Sequence, residues 1–292
     1  MIRKLINLST STRVISLPAA WIKRNRLAKG SEINMEEVDN RLIVSAKSIK
    51  SGKEITIDAT SVPDEEMLWL HMDAAYVSGY DLITVIPGKR EHHLRLLKFA
   101  RYFPGLIIYE ERKDRIVFKD IAASPSEDIG KILSRIYNIN IDMMQDAIEA
   151  MKASDWETLA GMKKRDYTIN AYISYCLRQL NKFGYDPASK AGILHTYIKA
   201  LEVLSDKASE FFVEAGKKRI KADRASVEAV LSLYRDIVSL HFSYKQGLLH
   251  SVELKRRKLE SRKFKDSTLA TFFKGISDSF YDIEELEAEL NA

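Results

Sequence analysis

The spacing of apolar residues falls into three regimes along this chain, and each predicts a different architecture. In the first fifty residues the apolar runs are short. Ile2, Lys4, Ile6 and Leu8 alternate only loosely against Leu5 and Asn7, whereas Val14-Ile15-Ser16-Leu17 makes a strand that Pro18 ends. Residues 18–27 follow the pattern of a short helix, with proline in its first turn and Trp21, Ile22 and Leu27 on an apolar side. Lys29-Gly30-Ser31 turns the chain into a strand at residues 32–36, a turn follows at residues 38–41, and residues 42–45 form a last strand. A strand-strand-helix-strand-strand unit of this size buries little core alone, so dimerisation is expected.

Between residues 54 and 123 strand and helix patterns alternate. Val62-Pro63-Asp64-Glu65-Glu66 puts acids at a helix start, and Gly79 suits the cap at that helix's end. Residues 81–86 read as a buried strand, Pro87-Gly88 as a turn, 91–102 as a helix, and 106–109 and 115–118 as two strands about Lys113-Asp114. From Ser126 onward the period is helical throughout. Six helices are expected, starting near Ser126, Ser154, Ser189, Ala225, Glu253 and Ser267, with Gly216 and Asp223 as breakers between the third and fourth. Two successive helical triplets suggest an internal repeat, with Ile136-Tyr137-Asn138-Ile139 and Leu233-Tyr234-Arg235-Asp236-Ile237 opening similar stretches. The domains read as 1–50, 51–123 and 124–292.

Charge changes the picture for one of these segments. Residues 1–50 hold ten basic and four acidic residues, a net of +6 against +5 for the whole chain, so the remainder is close to neutral. Such asymmetry points to a polyanionic partner for the N-terminal unit. No apolar run approaches the ~20 residues that span a bilayer, and no signal-peptide pattern follows Met1, so a cytoplasmic location is expected. The single cysteine, Cys176, lies in a helical pattern and reads as a buried thiol. His92 and His93 point to different sides of a helix and His71 has no partner at ligand spacing; all three read as surface histidines. No P-loop, nucleophile elbow or catalytic His–carboxylate pairing is present, so an enzyme is not expected.

The stretch from Arg13-Val14-Ile15-Ser16-Leu17-Pro18-Ala19-Ala20-Trp21 to Leu27-Ala28-Lys29-Gly30-Ser31-Glu32-Ile33 resembles the AbrB/MazE/SpoVT swapped-hairpin family. Ser11-Thr12 replaces the glycine that often precedes the arginine there, and Ser31 replaces the usual aspartate. The resemblance implies an intertwined homodimer, or higher homo-oligomer, presenting basic residues to double-stranded DNA. Arg3, Lys4, Ser9, Ser11, Thr12 and Arg13 on the first hairpin, with Lys23, Arg24 and Arg26 on and after the helix, are the candidate contacts: cations neutralise phosphates, and hydroxyls fix register. A solvated surface of a dimerisation module, or an antitoxin-like protein-binding domain, remains open beside it.

Farther on, Tyr76-Val77-Ser78-Gly79-Tyr80-Asp81 and Gly105-Leu106-Ile107-Ile108-Tyr109-Glu110-Glu111 look like the linker of archaeal proteins that join an AbrB-type head to a PhoU-type tail. Leu201-Glu202-Val203-Leu204-Ser205-Asp206 resembles the PhoU signature of Glu and Asp four apart, which stacks both carboxylates on one helix face. Asp166 and Asn170 occupy the matching place one helix earlier; on the last helix Asp278 matches but Lys274 stands at the first acid. The resemblance implies a divalent or ferric metal ion at Glu202 and Asp206, with Asp166, and a phosphate-transport or signalling protein as partner. The whole is expected to be a multidomain α+β protein: a dimeric swapped-hairpin β-barrel, a small α/β domain, and an all-α PhoU-like pair of three-helix bundles. Its expected function is that of a transcriptional regulator tied to phosphate uptake or metal and phosphate sensing; the rival is an adaptor whose head only dimerises. The basic runs at 217–221 and 255–265 read as solvated helix ends.

Overall fold

The computed structural model describes residues 3–9, 12–38, 41–46, 52–121, 129–220, 224–264 and 267–292. The chain divides into two compact units, Met1–Ser51 and Gly52–Ala292.

The first unit is two antiparallel hairpins around one short helix. Strands β1 (Ile6–Asn7) and β2 (Arg13–Val14) pair with Ile6 opposite Val14. Helix α1 (Ala19–Arg24) follows Pro18, whose carbonyl accepts from Trp21 and Ile22. Strands β3 (Ile33–Val38) and β4 (Arg41–Ala46) form the second hairpin, Ile33 opposite Ala46. The expected strand over residues 14–17 is thus only its first residue, because Ile15 to Leu17 have no pairing partner among the described residues. The expected turn falls partly on Asp39 and Asn40, outside the described residues. Gly30 sits at φ +87°, a left-handed conformation that glycine takes without strain, and Ser31 closes that turn by accepting the Ala28 N–H on its Oγ at 2.8 Å.

The second unit starts with a four-stranded sheet of order β5-β6-β8-β7, from β5 (Glu54–Asp58), β6 (Leu82–Ile86), β7 (Leu106–Glu111) and β8 (Ile116–Asp120). Only β5 and β6 are parallel, and α2 (Glu65–Val77) makes the crossover between them. Asp64 caps α2 by accepting the Met67 N–H at 2.9 Å. Helix α3 (Arg90–Phe99) runs into a short 3-10 turn through Tyr102, so the expected helix over 91–102 tightens in its last residues.

Seven helices follow among the described residues: α4 (Ile129–Ala153), α5 (Trp156–Ala160), α6 (Lys163–Phe183), α7 (Ala191–Lys218), α8 (Arg224–Phe242), α9 (Gln246–Glu260) and α10 (Ser267–Asn291). The expected start at Ser126 lies outside the described residues. Helix α4 packs on α6 and α6 on α7; α8 packs on α9 and α9 on α10; α7 against α10 and α4 against α8 join the two sets. Two expected boundaries move. The helix expected from Ser154 is broken at Gly161, and the fourth ends at Phe242 because Lys245 is extended, which places Leu248 and Leu249 on α9. That swing packs Val252 and Leu259 into the core.

Gly216 is no breaker: it lies inside α7, where α5 crosses closely. A Cβ there would stand 2.6 Å from the Ala160 nitrogen and 2.7 Å from the Trp156 carbonyl oxygen. On an open helix Gly→Ala gains about 1 kcal/mol, whereas backbone overlap of this kind costs about 1–3 kcal/mol. Gly216→Ala is therefore expected to destabilise, read as a lower urea midpoint with an unchanged slope; a higher midpoint would mean that α5 yields freely.

One face of α6 fastens the bundle to the α/β sheet. Arg178, fully buried, donates to the Tyr76 carbonyl at 2.6 Å, the Tyr80 carbonyl at 2.8 Å and Asp120 Oδ2 at 2.6 Å. Lys182 adds Asp81 and Asp120, each at 2.5 Å, and Asn181 donates to the Val77 carbonyl at 3.0 Å.

Candidate nucleic-acid interface and the acidic helix pair

The basic residues singled out in the first unit are all exposed. Arg3 and Lys4 precede β1, Ser9 lies in the turn after it, and Thr12 and Arg13 begin the return strand. That turn is tightly tied: the Leu8 N–H donates to the Thr12 carbonyl at 3.0 Å, and the Thr12 N–H donates to Ser9 Oγ at 3.1 Å. Lys23 and Arg24 occupy the last turn of α1, where the carbonyl end of the helix favours cations, and Arg26 follows at φ +52°. Ser11 lies outside the described residues. Among the described residues none of these cations is in a salt bridge with a carboxylate, so their charge stays available.

The same unit shows no interior among its described residues. Among its described side chains none is buried, and Leu5, Leu8 and Met35 are 70%, 72% and 61% exposed. Apolar groups at this density on so small a unit call for a covering surface. Sequence reasoning expected dimerisation from size but did not single out these three residues. The signal was present in Leu5, which interrupts the alternation of the first strand and leaves apolar residues on both of its faces.

Two of the three candidate metal ligands, Asp166 and Asp206, come together across α6 and α7, but around a cation. Asp166 is fully buried; Lys163 Nζ lies 2.7 Å from its Oδ2 and 3.9 Å from Asp206 Oδ1. Glu202 pairs with Lys199 on its own helix. Among the described residues no group of three or more His, Cys, Asp or Glu side chains could hold a metal ion. The ammonium of Lys163 stands where a bridging ion would, so this donor set does not fit a resident divalent or ferric ion. The residue missed in the sequence is Lys163, legible only as a lysine one turn ahead of Asp166.

Burial, and then the neighbouring Asp166 carboxylate, push the Asp206 carboxyl up to about 6. A carboxyl raised in the folded state favours its neutral form there, so its penalty is absent below the unfolded value near 4, grows as pH rises from there and is complete above about 6. Asp206→Asn is expected to raise the melting temperature at pH 8 and leave it nearly unchanged at pH 4. A fall at pH 8 would show the Lys163 contact outweighing the burial.

Other readings need correction. His92 is buried, not on the surface, with Nδ1 3.0 Å from the Pro87 carbonyl oxygen, while His93 Nε2 meets Glu111 at 3.0 Å. Arg256 is no solvated helix end: it is buried under the Tyr281 ring at 5.0 Å and paired with Glu284 at 3.3 Å. Cys176 is buried as expected, and burial pushes its thiol up to about 12. Among the described residues no helix is long and apolar enough to cross a membrane.

Residues 6–54 match the MazE family, described as antidote-toxin recognition MazE, bacterial antitoxin. The N-terminal segment is thus similar to domains of the AbrB/MazE type, a class that binds DNA and dimerises, which points to a DNA-binding or antitoxin-like regulatory role. No curated protein and no solved structure matches the chain.

Proposed function

We propose that the protein is a homodimeric DNA-binding transcriptional regulator whose head pairs with a second copy through intertwined hairpins, and whose helical tail is a PhoU-like regulatory half linked to phosphate uptake. The observation that carries the DNA-binding half is the set of exposed cations on the β1–β2 hairpin and α1, which meets no carboxylate among the described residues and belongs to a segment more positive than the whole chain. The absence of a buried side chain among the described residues of that unit supports the dimer. The succession of α4, α6, α7 and α8, α9, α10 as two mutually packed sets supports the tail assignment. A resident metal ion does not enter this reading, because Lys163 fills its place.

A second reading has its own support. The exposed Leu5, Leu8 and Met35, and a family described by toxin recognition, favour a head that serves protein contacts, with the bundle as an adaptor for a transporter or signalling partner. Sedimentation velocity of the full chain, combined with fluorescence anisotropy on duplex DNA at low salt, separates the two. The regulator reading expects a dimer that binds duplex; a dimer that binds none would leave the adaptor.

A further inference from the structure

Between α2, α3, α6 and α7 lies a cavity of about 540 Å3 that the DNA reading does not use. One wall is aromatic. The Trp69 ring stacks on Phe103 and meets Phe99 edge-on, both at 5.0 Å, and lies 5.5 Å from Tyr102; Tyr102 in turn is 5.8 Å from Tyr167 on α6. Helical spacing builds this wall and the one facing it: Trp69 and Asp73 are four apart on α2, and Tyr167, Asn170 and Ser174 are three and four apart on α6.

The polar groups in the cavity are mostly carboxylates. Arg95 is the cation among the lining residues, and it is already paired with Glu65 at 3.0 Å. Lys199 holds Glu202 in the same way. Neither Glu66 nor Asp73 forms an ion pair among the described residues: Asp73 accepts one hydrogen bond, from the Ser174 hydroxyl to Oδ1 at 2.7 Å, and feels the Lys199 charge only at longer range. Asn170, which also lines the space, has its Oδ1 buried without a hydrogen-bond partner. A buried acceptor left unpaired is destabilising unless a donor reaches it.

We infer that this cavity binds a small organic cation, an ammonium or guanidinium group carried on an apolar or aromatic frame. Ring faces attract a cation most where water is excluded, and the carboxylates of Asp73 and Glu66 complement the same charge. An anion would meet Asp73, Glu66 and Glu202 together. A neutral apolar molecule would desolvate Asp73 and leave Asn170 Oδ1 unpaired, which costs free energy without return. A metal ion gains no oxygen ligands from an aromatic wall. The cation's N–H groups supply donors for both acceptors while its frame covers Trp69 and Tyr102.

Isothermal titration calorimetry of the full chain with benzylammonium, benzyl alcohol and benzoate tests the inference. Benzylammonium is expected to bind saturably at one site, with benzyl alcohol about tenfold weaker or worse and benzoate undetected. Asp73→Asn preserves shape and an acceptor for Ser174, and is expected to weaken benzylammonium about tenfold. Should that variant fail to fold, Glu66→Gln on the exposed rim carries the same test with a smaller loss. Absence of saturable benzylammonium binding, equal binding of benzyl alcohol, or wild-type affinity in the folded variants would each overturn the proposal. None of these outcomes depends on whether the head binds DNA.

Discussion

Raising monovalent salt from about 50 to about 200 mM should weaken duplex DNA binding by the protein about a thousandfold, if about six phosphates are neutralised. The figure follows from counting exposed cations. Arg3, Lys4, Arg13, Lys23, Arg24 and Arg26 stand on each copy, and a dimer that brings half of them to the backbone makes that many contacts. Each contact releases a condensed counterion and adds about −0.9 to the slope of log affinity against log salt. Arg13 is the most informative position, because it sits on β2 opposite Asn7, directly after a turn fixed by the Ser9 and Thr12 hydrogen bonds. Arg13→Ala should therefore lower the slope by about two in a dimer, one per copy, while the dimer persists. A variant that binds with wild-type affinity and slope would move the interface elsewhere. Fluorescence anisotropy at several salt concentrations, with sedimentation velocity on the same samples, reads both quantities.

The ease with which the fold could be read varied with how local the determining physics is. The acids at the start of α2, Gly79 at its end, the turn at Lys29-Gly30-Ser31 and the strand expected at 81–86, found at Leu82–Ile86, are set by residues adjacent in sequence, and they stand where their patterns put them to within a residue. Where distant packing decides, the pattern misled. Gly216 looked like a breaker because nothing local reveals α5 crossing α7 at backbone distance. Arg256 in a run of cations looked solvated, since Glu284 and Tyr281 reach it from another helix. The acid spacing of Glu202 and Asp206 was legible as one helix face; that Lys163 of α6 would neutralise that face was not, because it depends on how α6 and α7 register against each other. The aromatic and acidic cavity belongs to the same class: its four walls come from helices up to about 130 residues apart, and no single stretch announces it.

Arg178→Ala should cost about 3–5 kcal/mol of unfolding free energy, the largest single-residue effect on stability expected in the second unit. A guanidinium this deeply buried is tolerated only because its fork is filled: two carbonyls at the end of α2 and the Asp120 carboxylate accept from it, and its face lies 4.8 Å from the centre of the Tyr76 ring. Tyr76 is itself anchored by donating its hydroxyl to the Pro104 carbonyl at 2.6 Å. Removing Arg178 takes the guanidinium donors from the Tyr80 carbonyl and from Asp120, and leaves the Tyr76 carbonyl with the Gly79 N–H at 3.0 Å. Arg178→Lys keeps the charge but presents a point donor in place of a fork, so it should recover only part of the loss. Because α6 joins the sheet to the bundle through this face, the alanine variant should also lower the urea slope if the sheet then unfolds separately from the helices. In a Trp21→Phe, Trp156→Phe background, chemical denaturation followed by the fluorescence of Trp69 reports on the sheet side of the junction, and far-ultraviolet circular dichroism on the helices. Coincident transitions with wild-type midpoint in Arg178→Ala would show that the buried guanidinium contributes nothing to holding sheet and bundle together.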